Sequence, residues 1–161
     1  MAQPCFSCGG RFELYEGPTH KYMLSSPGCW KAYGELLARE YENPLLFGAA
    51  HRLTVDAYAL QHPGDPSDRR ATQSVWIHYA ALHLAMVEEV SHASIPAKMQ
   101  TLASKPLPPL PPAPQSHSIT LADVVAEEAS NHVPAVQRWA ASAYSAWEPL
   151  RRDVSRLLAD L

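Results

Sequence analysis

Three cysteines are all the chain has, and their setting suggests one chemistry. Cys5-Phe-Ser-Cys8-Gly9-Gly10 stands near the start, and Ser25-Ser-Pro-Gly-Cys29-Trp30 follows it. Thiolate sulfur and imidazole nitrogen suit a borderline-soft ion that accepts tetrahedral geometry, so Cys5, Cys8 and Cys29 read as three ligands of a zinc site. Glycine directly after the pair lets the backbone fold under the ion. The competing chemistry is a redox dithiol at Cys5 and Cys8, but no βαβ pattern surrounds the pair. The odd cysteine count, with no export signal at the N-terminus, argues against a disulfide framework and makes a cytoplasmic location the expectation.

The elements around the cysteines support the metal. Phe12, Leu14 and Tyr22 alternate with polar residues around Gly17–Pro18, which predicts a short β-hairpin. A lone hairpin is marginal in water, and a metal would hold it. Ser26 and Pro27 then read as the N-cap and first residue of a helix. Its apolar face is predicted to be Trp30, Tyr33, Leu37 and Tyr41, and Asn43–Pro44 ends it. Knuckle, hairpin and a helix whose first turn holds a cysteine is the element order of a treble-clef zinc finger. That arrangement places a further ligand near Ala32 or Tyr33, and neither can serve as the expected one, so the fourth ligand must come from elsewhere.

A second helix is predicted from about Ala49 to His62. Joined to the first by a short proline-containing loop, it should pack antiparallel and bring His62 level with Cys29. His51 then lies at the far end, because eleven helical residues span roughly 16 Å. His62 is therefore the expected fourth ligand, with His20 and His51 as alternates in that order. A third helix is expected from the Asp65-Pro66-Ser67 turn to about Val90, with Val75, Leu82, Met86, Ile77 and Leu84 inward. Its antiparallel return places His78 near the level of His51, which opens a second chemistry. A pocket around His51, Tyr58 and His78 could hold a second metal or supply acid and base. The plainer reading is half-buried histidines bonded to Tyr58, Gln73 or Asp56. Asp56 is expected to point away from His51, and His92, His117 and His132 to be solvated in or near loops.

Ser94 begins a shorter helix with Met99 and Leu102 inward. KPLPPLPPAPQ then forbids a helix and predicts an extended polyproline strap, a surface connector with a possible second role as ligand for a proline-binding module. Thr120 and Asp123 form a capping box. A long last helix from about Val133, kinked at Pro149, carries Trp139, Ala143, Ala146, Leu150, Val154 and Leu157 on its inner face. The four tryptophans are expected to fill core and interface. A net charge of −3 and the lack of any basic run disfavour nucleic-acid binding, and no stretch is apolar enough to predict a membrane span. No G-x-S-x-G elbow, phosphate loop or H-E-x-x-H is present.

Cys5-x2-Cys8-Gly9, Pro18-Thr-His20-Lys-Tyr22, Ser26-Pro-Gly-Cys29-Trp30, His51-Arg-Leu-Thr-Val-Asp56-Ala-Tyr58-Ala-Leu-Gln-His62-Pro-Gly and Gln73-Ser-Val-x2-His78 together resemble an uncharacterised bacterial family, a domain of unknown function. The likeness runs over about residues 5–80. It implies that Cys5, Cys8, His20, Cys29, His51, Asp56, His62 and His78 belong to the family pattern, and it implies no activity.

The expectation is a mainly α protein, a helical bundle with a small N-terminal treble-clef-like module. Residues 1–28 form the knuckle and hairpin, 29–105 a helical core, 106–117 the strap, and 118–161 C-terminal helices packed on the core. The expected function is that of a non-enzymatic binding or adaptor protein stabilised by zinc, self-associating through aromatic helix faces. A metal-dependent enzyme and a thiol redox sensor are the alternatives.

Overall fold

A computed structural model describes residues 1–161. Two strands, β1 (Ala2–Pro4) and β2 (Arg11–Glu13), precede seven α-helices: α1 (Pro27–Tyr41), α2 (Pro44–Gln61), α3 (Arg69–Met86), α4 (Ile95–Ala103), α5 (Leu121–Val125), α6 (His132–Ala146) and α7 (Arg151–Ala159). The protein is mostly helical, with a small N-terminal hairpin. No helix is long and apolar enough to cross a membrane.

The hairpin forms around the C-x2-C turn itself and not around Gly17–Pro18 as expected. β1 and β2 pair antiparallel with Gln3 opposite Phe12. Between them the Cys5 N–H donates to the Gly10 carbonyl and the Gly9 N–H to the Cys5 carbonyl, both at 2.8 Å. Gly9 takes φ +80°, a left-handed conformation that side chains disfavour. The alternating Phe12, Leu14 and Tyr22 misled because only Phe12 is buried; Leu14 is exposed and residues 14–24 form no strand.

Ser26 caps α1 as expected, its hydroxyl accepting from the Cys29 N–H at 3.3 Å, with Pro27 next. The inner face of α1 is Cys29, Tyr33, Leu36 and Glu40, whereas Tyr41 is exposed. Asn43–Pro44 does more than stop α1. Asn43 Oδ1 accepts from the Leu45 and Leu46 N–H groups and Pro44 opens α2, which thus starts five residues before the predicted Ala49. α2 is buried almost all round in its second half, from Asp56 to Gln61, as befits the central helix of a bundle. It lies against α1, α3 and α6. α3 ends at Met86, short of Val90.

The C-terminal helix is broken where a kink was expected. Pro149 sits in a 3-10 turn, Glu148–Leu150, that separates α6 from α7. Removing the backbone donor inside a helix interrupts its ladder, and here the chain re-forms as two helices. Trp76, Trp139 and Trp147 lie in the core, and each indole N–H finds an acceptor: the Pro108 carbonyl at 2.7 Å, Gln61 Oε1 at 2.9 Å and the Leu60 carbonyl at 2.8 Å. The strap runs over the core without secondary structure, Leu107 and Leu110 packed inward.

Glycines mark where the hairpin docks. A Cβ on Gly28 would sit 2.4 Å from the Glu13 carbonyl oxygen, and one on Gly64 2.2 Å from that of Tyr22. The N-terminal segment therefore lies directly on the start of α1 and on the turn after α2.

Candidate metal centre

Two features of the fold deliver the cysteines. Cys5 and Cys8 come from the knuckle turn and Cys29 from the third residue of α1, all three buried and none in a disulfide. Antiparallel packing brings the C-terminal end of α2 to the same point. His62, its C-cap and fully buried, places Nε2 3.3 Å from Cys29 Sγ. One donor atom from each of Cys5, Cys8, Cys29 and His62 lies within 4.8 Å of all the others, a group that could hold a metal ion. Ligands about 2.0–2.3 Å from a tetrahedral ion stand roughly 3.5–3.8 Å apart, so this cluster fits an ion with small adjustments.

The donors are also prepared for that role. The carbonyl of Tyr58 can only accept, so the 2.7 Å contact from His62 Nδ1 fixes a proton there and leaves Nε2, which faces the sulfurs, as the nitrogen that can ligate a metal. The Gly10 N–H points at Cys8 Sγ and the Ser26 N–H at Cys5 Sγ, each at 3.4 Å, bonds that favour thiolate. Tyr58 Oη lies 3.5 Å from Cys29 Sγ. Burial, then the nearby Cys29, raises the Tyr58 pKa, so its hydroxyl stays protonated and able to donate.

Without a cation the three sulfurs share little charge. Hydrogen bonds from Cys29 and Cys8 hold Cys5 far below the ordinary thiol range. For Cys8 the bond with Cys29 pulls down, but the bond with Cys5 and burial outweigh it and push it up to about 12. Bonding to Cys5, then to Cys8, and burial raise Cys29 as well. Burial and mutual proximity thus set the three sulfurs against being thiolates together. Three thiolates need a positive ion among them.

The alternates lie elsewhere. His20 Nδ1 accepts from the N–H groups of Tyr22 and Met23 at 3.2 and 3.1 Å, and its ring packs edge-on to Tyr22. His51 Nδ1 meets Glu40 at 3.1 Å.

The profile of a family of unknown function, DUF5946, matches residues 3–148. The chain belongs to this family. No curated protein and no solved structure is significantly similar to it.

His51, Tyr58 and His78, the residues of the alternative pocket, each have partners of their own. Tyr58 is fully buried at the cysteine cluster, stacked between Tyr33 and His62. His51 and His78 each answer to a separate carboxylate. His78 Nδ1 donates to Asp56 Oδ1 at 2.7 Å, and Arg52 grips both oxygens of Asp56 at 3.0 and 3.1 Å. Asp56 does turn away from His51 as expected, and what it turns toward is His78. The Cys/His cluster is the one group of three or more Cys, His, Asp or Glu donors close enough for a metal, and neither His51 nor His78 is in it.

Sequence reasoning missed a buried polar centre. Glu40 is fully buried, and its carboxylate accepts from Thr54 Oγ1 at 2.5 Å, His132 Nε2 at 2.7 Å and His51 Nδ1 at 3.1 Å. His132, expected to be solvated, is therefore a core residue of α6. His117, also expected in solvent, is half-buried, and burial, then the nearby His62, lowers its pKa. The available signal was helical spacing: Tyr33, Leu36 and Glu40 share one face of α1, which marks Glu40 as an inward acid.

Proposed function

We propose that Cys5, Cys8, Cys29 and His62 bind one zinc ion, and that this ion is structural. The observation that carries the reading is the enclosure of the donor set: all four residues are buried, and their donor atoms converge from the knuckle, α1 and α2. Four protein ligands close a tetrahedral ion, whereas catalytic zinc keeps a position for water. The ion ties a hairpin too small to persist alone to the end of the α1–α2 pair. The engagement of His51 by Glu40, His78 by Asp56 and Tyr58 by Cys29 favours a binding or adaptor role over a metal-dependent enzyme. A third thiol and an imidazole beside Cys5 and Cys8 favour a metal over a redox dithiol.

Cobalt substitution tests this. The Co(II) protein is expected to show a tetrahedral visible spectrum with thiolate charge-transfer bands, unchanged by added azide. A spectrum that shifts on azide addition marks an open coordination position and contradicts a structural ion.

A further inference from the structure

Two cavities run end to end beside the proline strap, sharing Pro66 and Thr72. The larger, about 310 Å³, is walled by Pro63, Ala71, Val75, Leu110, Pro111 and Trp147, and no charged residue lines it. That volume is at the small end of ligand sites, which run from roughly 300 to 1,000 Å³. Its side-chain polar groups are already engaged. The Trp147 indole N–H donates to the Leu60 carbonyl at 2.8 Å, the Thr72 hydroxyl to the Pro66 carbonyl at 3.3 Å, and the prolines have no N–H. This half therefore offers mainly apolar surface.

The smaller cavity, about 210 Å³, has the opposite character, with Arg69, Lys105, Ser67 and Gln73 in its lining. Neither cation is matched by a side-chain carboxylate. Asp65 is engaged by Ser67 and Asp68 by Arg70. Lys105 Nζ donates to the backbone carbonyl of Asp160 at 2.9 Å. The wall between the two halves is fixed, since proline restricts the strap and the Trp76 indole pins it at Pro108.

We infer that this groove binds a small organic acid with a flat apolar body. The body lies against the rings of Pro63, Pro66 and Pro111 and the Leu110 side chain, and the carboxylate meets Arg69 and Lys105. Charge complementarity selects the acid, because an unpaired guanidinium at the mouth of an apolar slot gains a bidentate partner. No residue of the cysteine cluster lines either cavity, so the inference stands apart from the metal reading.

A matched pair of probes tests it on the full chain as purified: 2-naphthoate and naphthalene-2-carboxamide, titrated by calorimetry or ligand-observed NMR. Naphthoate is expected to bind saturably with Kd below about 1 mM. The double variant Arg69→Gln/Lys105→Gln should weaken naphthoate about tenfold and leave the amide unchanged. Ala113→Trp, an exposed strap position lining the apolar half, should weaken both probes while circular dichroism stays native. Absence of saturable naphthoate binding overturns the proposal. So does equal affinity for acid and amide, which denies the basic half a role, or binding that Ala113→Trp does not affect, which places it elsewhere.

Discussion

The α1–α2 pair is fastened at both ends, and the two fastenings differ in kind. At the Cys29 end, three sulfurs and the His62 imidazole converge on a point that suits a cation. At the Glu40 end, a buried carboxylate takes three hydrogen bonds, from Thr54, His51 and His132. The first centre draws on the N-terminal hairpin, and the second on α6, 92 residues away in sequence. On the proposed reading, one depends on an ion that a chelator can remove. The other is built from the chain's own side chains and should persist without it.

The largest expected effect breaks the first fastening alone. Cys29→Ala should abolish metal binding and undock the hairpin, lowering the melting temperature by about 10 °C or more, since ligation and folding are coupled in such sites. Metal analysis and thermal unfolding check this together, and a variant that kept both metal and melting temperature would refute it. Within the same end, His62→Ala should weaken the metal far more than His20→Ala, and His51→Ala should leave metal content unchanged. Competition with a chromophoric chelator orders the three.

Breaking the second fastening should cost stability without metal. Glu40→Ala leaves Thr54 and His132 buried without their acceptor, a loss expected at about 3–5 kcal/mol by denaturant unfolding. Its metal content should equal that of the parent. Loss of metal in Glu40→Ala would show that the two ends are not independent.

Smaller changes sharpen the contrast. Gly28→Ala would push a methyl into the Glu13 carbonyl oxygen and should destabilise the docked hairpin by about 1–3 kcal/mol. Amide exchange should rise in residues 2–13 before it rises in α6. Acid acts elsewhere again. His83 is buried against the Tyr144 hydroxyl, and burial lowers its pKa below the ordinary 6.5. A histidine with a depressed folded pKa contributes stability that is complete above the unfolded value and falls as pH drops below it. Stability should therefore decline below about pH 6.5, and His83→Gln should flatten that part of the curve.

The two fastenings also differ in how visible they were in the sequence. The cysteine end could be read because C-x2-C-G-G, Ser-Pro-Gly-Cys and the short loop between two helices are local signals. Antiparallel packing alone then placed His62 beside Cys29. The Glu40 end was hidden because its partners come from α1, α2 and α6, and nothing local links Glu40 to His132. Local signals also misled in places. Asn43–Pro44 reads as a stop, yet the same pair caps and opens the next helix. Strands of three residues are too short for an alternation pattern, so the hairpin was sought in the longer stretch around Gly17–Pro18.

The most direct test of the account is elemental analysis of the full chain purified without a metal-affinity tag, paired with titration of its thiols under native conditions. The account predicts one zinc per chain and three cysteines that react only after chelation. A metal-free protein with three freely titrating thiols would contradict it.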